Sequence, residues 1–373
     1  MNTSDLARVN NIGDQLELLY KPLRLDPYNA PVNRDEEKRA LFTAHAQAKS
    51  YHPQFTYNPT PDGWEIPLAE FLRVELRHGN TEWDALLRLD AESTLEAVKA
   101  TTTHNPELIT QHTRKLHGDI SLELIAAARN VLATTHVALE EKTVSAETAA
   151  AVLRGGLVKA GLTDWEVLVD PAMVAKMNVR SVEKQVRVRQ GEFFASEDIQ
   201  RLLVHEIGTH VFRAVNGEAQ PLRLLRMGFA GYMTTEEGMA TFHEEHYGLK
   251  SNKDRRTYAL RVLAAYLSLT QGFFEVFTYI AEFTSRDEAF AIVQRAKRGF
   301  TDTGIPGSHV KDKVYLEGFL QVSAYLGKQP DHYRYLMSGK VSTDMIHLLE
   351  KLDKDGILLS PRCLPEMLID QVT

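Results

Sequence analysis

The sequence predicts an α+β protein: mostly helical, with a small, mainly antiparallel sheet placed just before the helix that carries the chemistry. Three observations lead there. Most of the 373 residues fall into helical apolar patterns bounded by capping residues. One stretch, Trp165 to Arg189, switches to strand-like alternation. The helix after it contains His205-Glu206-Ile207-Gly208-Thr209-His210, two imidazoles with a carboxylate between them.

Leu25 to Asn33, rich in proline and asparagine, reads as an irregular entry. Asp35 to Ser50 is helical in composition. Tyr51 to Asp62 holds Pro53, Pro59 and Pro61 among aromatics and reads as a loop. Ile66 to Arg77, Asn80 to Lys99 and Ile120 to Thr135 look helical. Ser145 is the expected N-cap of a helix reaching about Ala160. Trp165 to Val169 alternates like a strand, and Ala175 to Arg180 and Gln185 to Arg189 read as two more, with Val186 and Val188 on one face. Ser196, followed by Glu197 and Asp198, is the expected cap of the motif helix, because acidic residues suit the positive end of a helix. Thr234 is the expected cap of a helix from about Thr235 to Tyr247, stopping near Gly248. The remainder is mostly helical in pattern, with a loop from Gly299 to His309.

At 43% hydrophobic and 25% charged, the composition is that of an ordinary globular protein. A formal charge of -7 gives a nucleic-acid partner no global electrostatic support. Cys363 is the only cysteine, so an internal disulfide and a cysteine-based zinc site are both excluded. The most apolar run, Val262 to Ala281, carries Gln271 and Glu275 and reads as one buried helix, not a membrane span. Met1 to Asp5 lacks the basic-then-apolar run of a secretion signal, so a cytoplasmic setting is expected.

Imidazole nitrogen and carboxylate oxygen bind zinc, and a catalytic site keeps one position open beyond three protein ligands. His205 and His210 offer two ligands, and Glu206 is placed to act as general base on water at the metal. The spacing is one residue longer than in H-E-x-x-H. On a regular helix, residues five apart diverge by about 140°. A π-type widening between His205 and Val211 would restore a common face, and Gly208 makes it cheap. The best source of a third ligand is Thr234-Thr235-Glu236-Glu237-Gly238-Met239-Ala240. Glu236 and Glu237 point about 100° apart, so one of them ligates. Glu244 shares the face of Glu237 and suits a hydrogen bond to a ligand histidine. His243 to His246 reads as a solvated face.

The H-E-[IV]-G-x-H motif, the Q/E-E-G-L/M-A box at Glu236 to Ala240 and the Tyr-x-Pro-x-Phe element at Tyr51 to Phe55 resemble the microtubule-associated tyrosine carboxypeptidase family. Its prokaryotic members are described as flavohemoglobin expression-modulating QEGLA motif proteins. Val314 to Phe319 also looks familial, and the resemblance covers roughly residues 35 to 325. It implies a gluzincin-like metallopeptidase releasing a C-terminal aromatic residue, with one zinc ion (Zn2+) per chain. Carried over, His205, His210 and Glu237 bind the metal and Glu206 is catalytic. Glu236 stands where many relatives have glutamine, and Met239 where they have leucine. Residues 1–104 are then a helical N-terminal region and 105–373 a zincin-like catalytic domain with a helical C-terminal part, or the two form one unit.

A carboxypeptidase must hold a terminal carboxylate, which suits an arginine fork. Arg213 is the first candidate, Arg298 the second, and Arg226 a third. Tyr315 and Tyr232 are candidates to donate to the carbonyl oxygen as it gains charge. Gln185 to Arg189 could take up an extended peptide along its edge. The expected partner is a peptide or protein C-terminal tail. The rival readings are an aminopeptidase or dipeptidyl peptidase and a non-catalytic regulator stabilised by metal. Glu237→Gln is expected to lose metal, and Glu236→Gln to keep it.

Overall fold

Good helix starts are frequent in this chain. The structure, a computed structural model, describes residues 3–369 apart from 78, 80, 136–141, 172 and 174. It opens with α1 (Thr3–Tyr20), α2 (Arg34–Ala46), α3 (Ile66–Val74), α4 (Glu82–Thr103), α5 (Pro106–His117) and α6 (Leu122–Thr134). Thr81 starts α4 with a reciprocal box: its hydroxyl accepts from Asp84 N while the Asp84 carboxylate takes the Thr81 N–H. Asn105 and Ser121 cap the next two helices. Strand β1 (Lys142–Ser145) leads into α7 (Ala146–Lys159), where Ser145 accepts from Thr148 N, the cap the sequence predicts.

The small sheet region holds β2 (Glu166–Asp170), β3 (Met177–Arg180), β4 (Gln185–Arg189) and β5 (Phe193–Ala195). It forms two sheets. β1 pairs antiparallel with β5, and the order of the other is β2-β4-β3. β3 pairs antiparallel with β4, while β2 runs parallel to it. Val186 and Val188 turn fully inward. β4 is the central strand, so both its edges are occupied and the expectation of peptide addition at Gln185 to Arg189 is corrected.

The chain continues through α8 (Ser196–Leu202), a widened helical turn (Leu203–Val211), α9 (Phe212–Glu218), α10 (Met233–His246) and α11 (Asn252–Ser268). It ends with α12 (Phe273–Ala281), α13 (Arg286–Ala296), α14 (Val314–Lys328), α15 (Tyr333–Met337) and α16 (Ile346–Lys354). Three expectations need correction. Ser196 does not cap α8, because β5 runs directly into the helix and extended Ala195 holds the cap position without a side-chain bond. α10 starts at Met233, behind Tyr232, so Thr234 lies inside it. The apolar run Val262 to Ala281 is broken into two helices. Gly272 is extended at the break, Phe273 N donates to Thr303 O at 2.9 Å, and a Cβ on Gly272 would lie 2.5 Å from the His52 ring.

One apolar cluster joins Leu16, Leu68 and Leu87 to Leu153, Val186, Ile207, Val211 and Leu336. A second joins Leu41 and Phe55 to Ile125, Leu263, Phe277 and Phe290. Each such side chain stabilises the fold by roughly 1.5–3 kcal/mol. Both clusters cross residue 104. Phe55 of the Tyr-x-Pro-x-Phe element is a core residue, and its N–H donates to Thr301 O at 2.8 Å, so this element pins the loop after α13.

The α10–α14 contact places the box glutamates. The helices touch backbone to backbone at two glycines. A Cβ on Gly238 would lie 2.5 Å from Gly318 O, and one on Gly318 would lie 2.0 Å from Thr234 O. No helix among the described residues is long and apolar enough to cross a membrane.

Candidate metal centre

The widening that the motif spacing predicts is present: residues 203–211 form a π-type turn, and Phe212 N bonds back to Ile207 O. His205 and His210 therefore face the same side, their ring centroids 4.9 Å apart. Gly208 is not left-handed. It provides room: a Cβ there would lie 3.3 Å from Pro365 Cβ, where the C-terminal segment covers the turn.

Glu237, from α10, points its Oε2 at both rings, 3.6 Å from His205 Nε2 and 3.7 Å from His210 Nε2. That oxygen is buried and has no hydrogen-bond partner. The three ligand atoms lie within 4.8 Å of one another, and no other such group occurs among the described residues. Zinc with bonds near 2.0–2.1 Å needs ligand–ligand edges of roughly 3.3 Å. The two nitrogen–oxygen distances, 3.6 and 3.7 Å, lie close to that edge, and the donor set suits the ion. Glu206 is buried beside His205, and its carboxylate takes no hydrogen bond or ion pair among the described residues.

Each motif histidine is held from behind by a carboxylate, and each carboxylate by an arginine. His205 Nδ1 lies 2.9 Å from Glu244 Oε1, which also accepts from Arg201 at 2.8 Å. His210 Nδ1 lies 2.8 Å from Glu236 Oε1, while Glu236 Oε2 pairs with Arg213. Such partners fix the ring orientation and raise ligand basicity. Burial opposes charge on both of these carboxylates, but the pairings outweigh it. Glu244 is held at about 2 by His205 and Arg201, and Glu236 lies far below the carboxylate range through Arg213, Lys340 and His210. Burial likewise disfavours charged His205, yet Glu237 and Glu244 hold its pKa up at about 10.

Glu236 is thus a residue whose role sequence reasoning missed. The signal was available: adjacent acids on a helix diverge by about 100°, so when one faces the metal the other can face a ligand's second nitrogen.

Arg213 is fully buried, and its fork is committed. Nε donates to Leu336 O at 2.9 Å, Nη2 to Val341 O at 2.7 Å and Nη1 to Glu236. It cannot reach a substrate, and its assignment as carboxylate anchor is corrected. Arg226 pairs with Glu17 and Asp14 and fastens α1. Arg298 is half-buried, and its guanidinium makes no hydrogen bond or ion pair among the described residues. The half-buried Lys311 is likewise without such a partner and interacts electrostatically with Arg298 and Glu237. Burial, then the neighbouring positive charge, lowers the pKa of both cations.

Tyr315, on α14, stacks on Tyr258 at 5.2 Å and 10°, and the Arg261 guanidinium lies over the Tyr315 ring, 4.7 Å from its centroid. Burial and then the Glu237 carboxylate raise the Tyr315 pKa, so its hydroxyl keeps its proton. Tyr232 is raised by burial, Glu236 and Glu237. The solvated-face reading of His243 to His246 is corrected: His243 and Glu244 are buried, and only His246 is exposed.

Over 167 residues the chain is 33% identical to microtubule-associated tyrosine carboxypeptidase 1 of Rattus norvegicus, covering 43% of this chain and 34% of that protein. It is 35% identical over 158 residues to the Homo sapiens protein of that name, covering 40% and 32%. It is 34% identical over 161 residues to the Homo sapiens putative tyrosine carboxypeptidase MATCAP2, covering 41% and 30%. The aligned region is about a third of the length of these curated relatives. Residues 41–373 match the family described as microtubule-associated tyrosine carboxypeptidase, and with that much of the chain matched, the protein belongs to this family.

Proposed function

We propose that this chain is a zinc-dependent carboxypeptidase that cleaves the last peptide bond of a peptide or protein tail and releases Tyr or Phe. One zinc ion per chain is held by His205, His210 and Glu237. The observation that carries the reading is the buried Glu237 Oε2, which has no hydrogen-bond partner and faces two imidazole nitrogens at 3.6 and 3.7 Å. An orphaned buried carboxylate oxygen costs several kcal/mol unless something pairs with it. The names of the relatives support the choice of a C-terminal aromatic residue.

When bound, zinc supplies a Lewis acid that polarises the scissile carbonyl and acidifies a water molecule. Glu206 takes the proton of the attacking water and returns it to the leaving amine. Glu244 and Glu236 keep the imidazoles aimed through their Nδ1 atoms. The Tyr315 hydroxyl, keeping its proton, donates a hydrogen bond to the carbonyl oxygen as charge develops there. Arg298, helped by Lys311, receives the terminal carboxylate, since the side chain of neither cation makes an ion pair or hydrogen bond among the described residues.

The test is a peptide series ending in Tyr, Phe or Ala, each as free acid and amide, followed by mass spectrometry with and without chelator. The free acids ending in Tyr or Phe should lose one residue, and the chelator should stop this. Glu206→Gln should keep zinc and lose about 10²–10⁴-fold in turnover. Equal cleavage of the amides would favour the aminopeptidase or dipeptidyl peptidase reading. Turnover absent throughout would favour the regulator.

A further inference from the structure

A buried hydrogen-bond chain runs from α15 to the inside of the widened turn. His243, on α10, is 1% exposed and Thr209 is fully buried. Thr209 Oγ1 lies 3.2 Å from Val204 O, five residues back, and 2.8 Å from His243 Nδ1. His243 Nε2 lies 3.0 Å from the Tyr333 hydroxyl. A threonine hydroxyl has one proton to give. Given to Val204 O, it leaves Oγ1 to accept from His243, so Nδ1 carries the imidazole hydrogen. Nε2 then accepts from Tyr333. Every donor in this chain meets an acceptor in one direction: Tyr333 to His243, His243 to Thr209, Thr209 to Val204.

Widening a helical turn sets carbonyls out of their usual bonds, which is why such turns need a side chain or a water to sustain them. Here the side chain is Thr209, which lies between Glu206 and His210 in chain and reaches the carbonyl next to His205. Without the wide turn, the two ligand imidazoles diverge by about 140°. Burial and then the nearby Arg213 charge lower the His243 pKa to about 3, in keeping with one ring hydrogen.

We propose that His243 and Thr209 are positioning residues, which hold the motif helix open at the spacing His205 and His210 need to share one ion. This rests on the zinc reading above. It adds residues from outside the ligand set and gives Thr209 a task.

The experiment measures zinc affinity by chelator competition in the full chain, with Co2+ absorption as a report on ligand geometry and far-UV circular dichroism as a report on folding. Thr209→Val keeps the shape and removes the hydroxyl. It should lose about 10–100-fold in affinity, the usual effect of removing a partner behind a ligand, and change the Co2+ spectrum. Thr209→Ser should bind as the wild type does. His243→Leu should resemble Thr209→Val, and His243→Asn, whose amide mimics the Nδ1–H, should recover most of the loss. The double variant should be no worse than the worse single one, because both act on one chain of bonds. In metal-free protein, ¹⁵N NMR should find the His243 hydrogen on Nδ1.

Wild-type affinity in Thr209→Val, or the hydrogen on Nε2, overturns the proposal while leaving the zinc site intact. Absence of zinc binding by the wild type overturns the zinc reading itself. If Thr209→Val does not fold, His243→Leu against His243→Asn and the NMR result still decide the matter.

Discussion

Glu236→Gln changes one charge and almost no volume, yet its expected consequences are large. The carboxylate serves two donors at once, His210 Nδ1 at 2.8 Å through Oε1 and the Arg213 fork through Oε2, with Lys340 Nζ 3.7 Å away. A glutamine side chain offers one oxygen and one NH2. Whichever way it turns, one of the two donors meets another donor. Arg213, fully buried, keeps its two carbonyl partners but loses its counter-charge. Breaking a buried pair in this way costs about 3–5 kcal/mol. The loss of control over His210 should weaken zinc binding by about 10–100-fold. Both are measurable: the first as a lower guanidinium midpoint at constant slope, the second by chelator competition. Arg213→Met with Glu236→Leu should recover much of the stability, because it removes both charges, but none of the metal affinity. A Glu236→Gln protein within about 0.5 kcal/mol of wild type and equal in zinc affinity would refute the reasoning. The expectation from sequence, that this variant keeps its metal undisturbed, is the outcome the geometry argues against.

Arg298→Met should lower kcat/KM on free-acid peptides by about 10–100-fold, the worth of a charge-assisted hydrogen bond, and narrow the preference for acids over amides. An unchanged preference would place the anchor elsewhere. Gly318→Ala would put a methyl 2.0 Å from Thr234 O. It should drive α14 from α10, cost about 1–3 kcal/mol or more and reduce zinc affinity, whereas a neutral result would contradict the glycine contact. Asp84→Asn probes the docking of α1 on α4. Burial opposes the Asp84 charge, but Arg8, at 2.6 Å, and Thr81 hold its pKa down at about 2, against an ordinary 3.8. A lowered carboxylate pKa stabilises the fold above 3.8, and that stability is lost as the pH falls through 2. Asn should therefore cost up to about 2 kcal/mol at pH 7, less whatever solvent screens at the half-exposed Arg8, and nothing near pH 2. Parallel pH profiles for the two proteins would contradict this.

What the sequence made legible was what local rules decide. Ser145 caps its helix because its hydroxyl needs only Thr148 N. Val186 and Val188 turn inward because a strand alternates. The π-type turn followed from asking two histidines five positions apart to share one face. Contacts between distant segments were hidden. The break at Gly272 depends on His52 and Thr303, far away in sequence, and an apolar run without proline carries little sign of it. Arg213 looked like a free cation near the motif, but the helix face it occupies is turned toward Leu336 and Val341. The roles of Glu236 and His243 depend on how α10 is rotated against the motif helix, and that rotation is set by the Gly238–Gly318 contact.

The most direct test of the account is the zinc content of zinc-loaded protein after gel filtration, measured for wild type, Glu237→Gln and Glu206→Gln. The account predicts one zinc per chain in the wild type and in Glu206→Gln, and almost none in Glu237→Gln. A wild type that retains no zinc, or a Glu237→Gln protein that retains as much as the wild type, would contradict it.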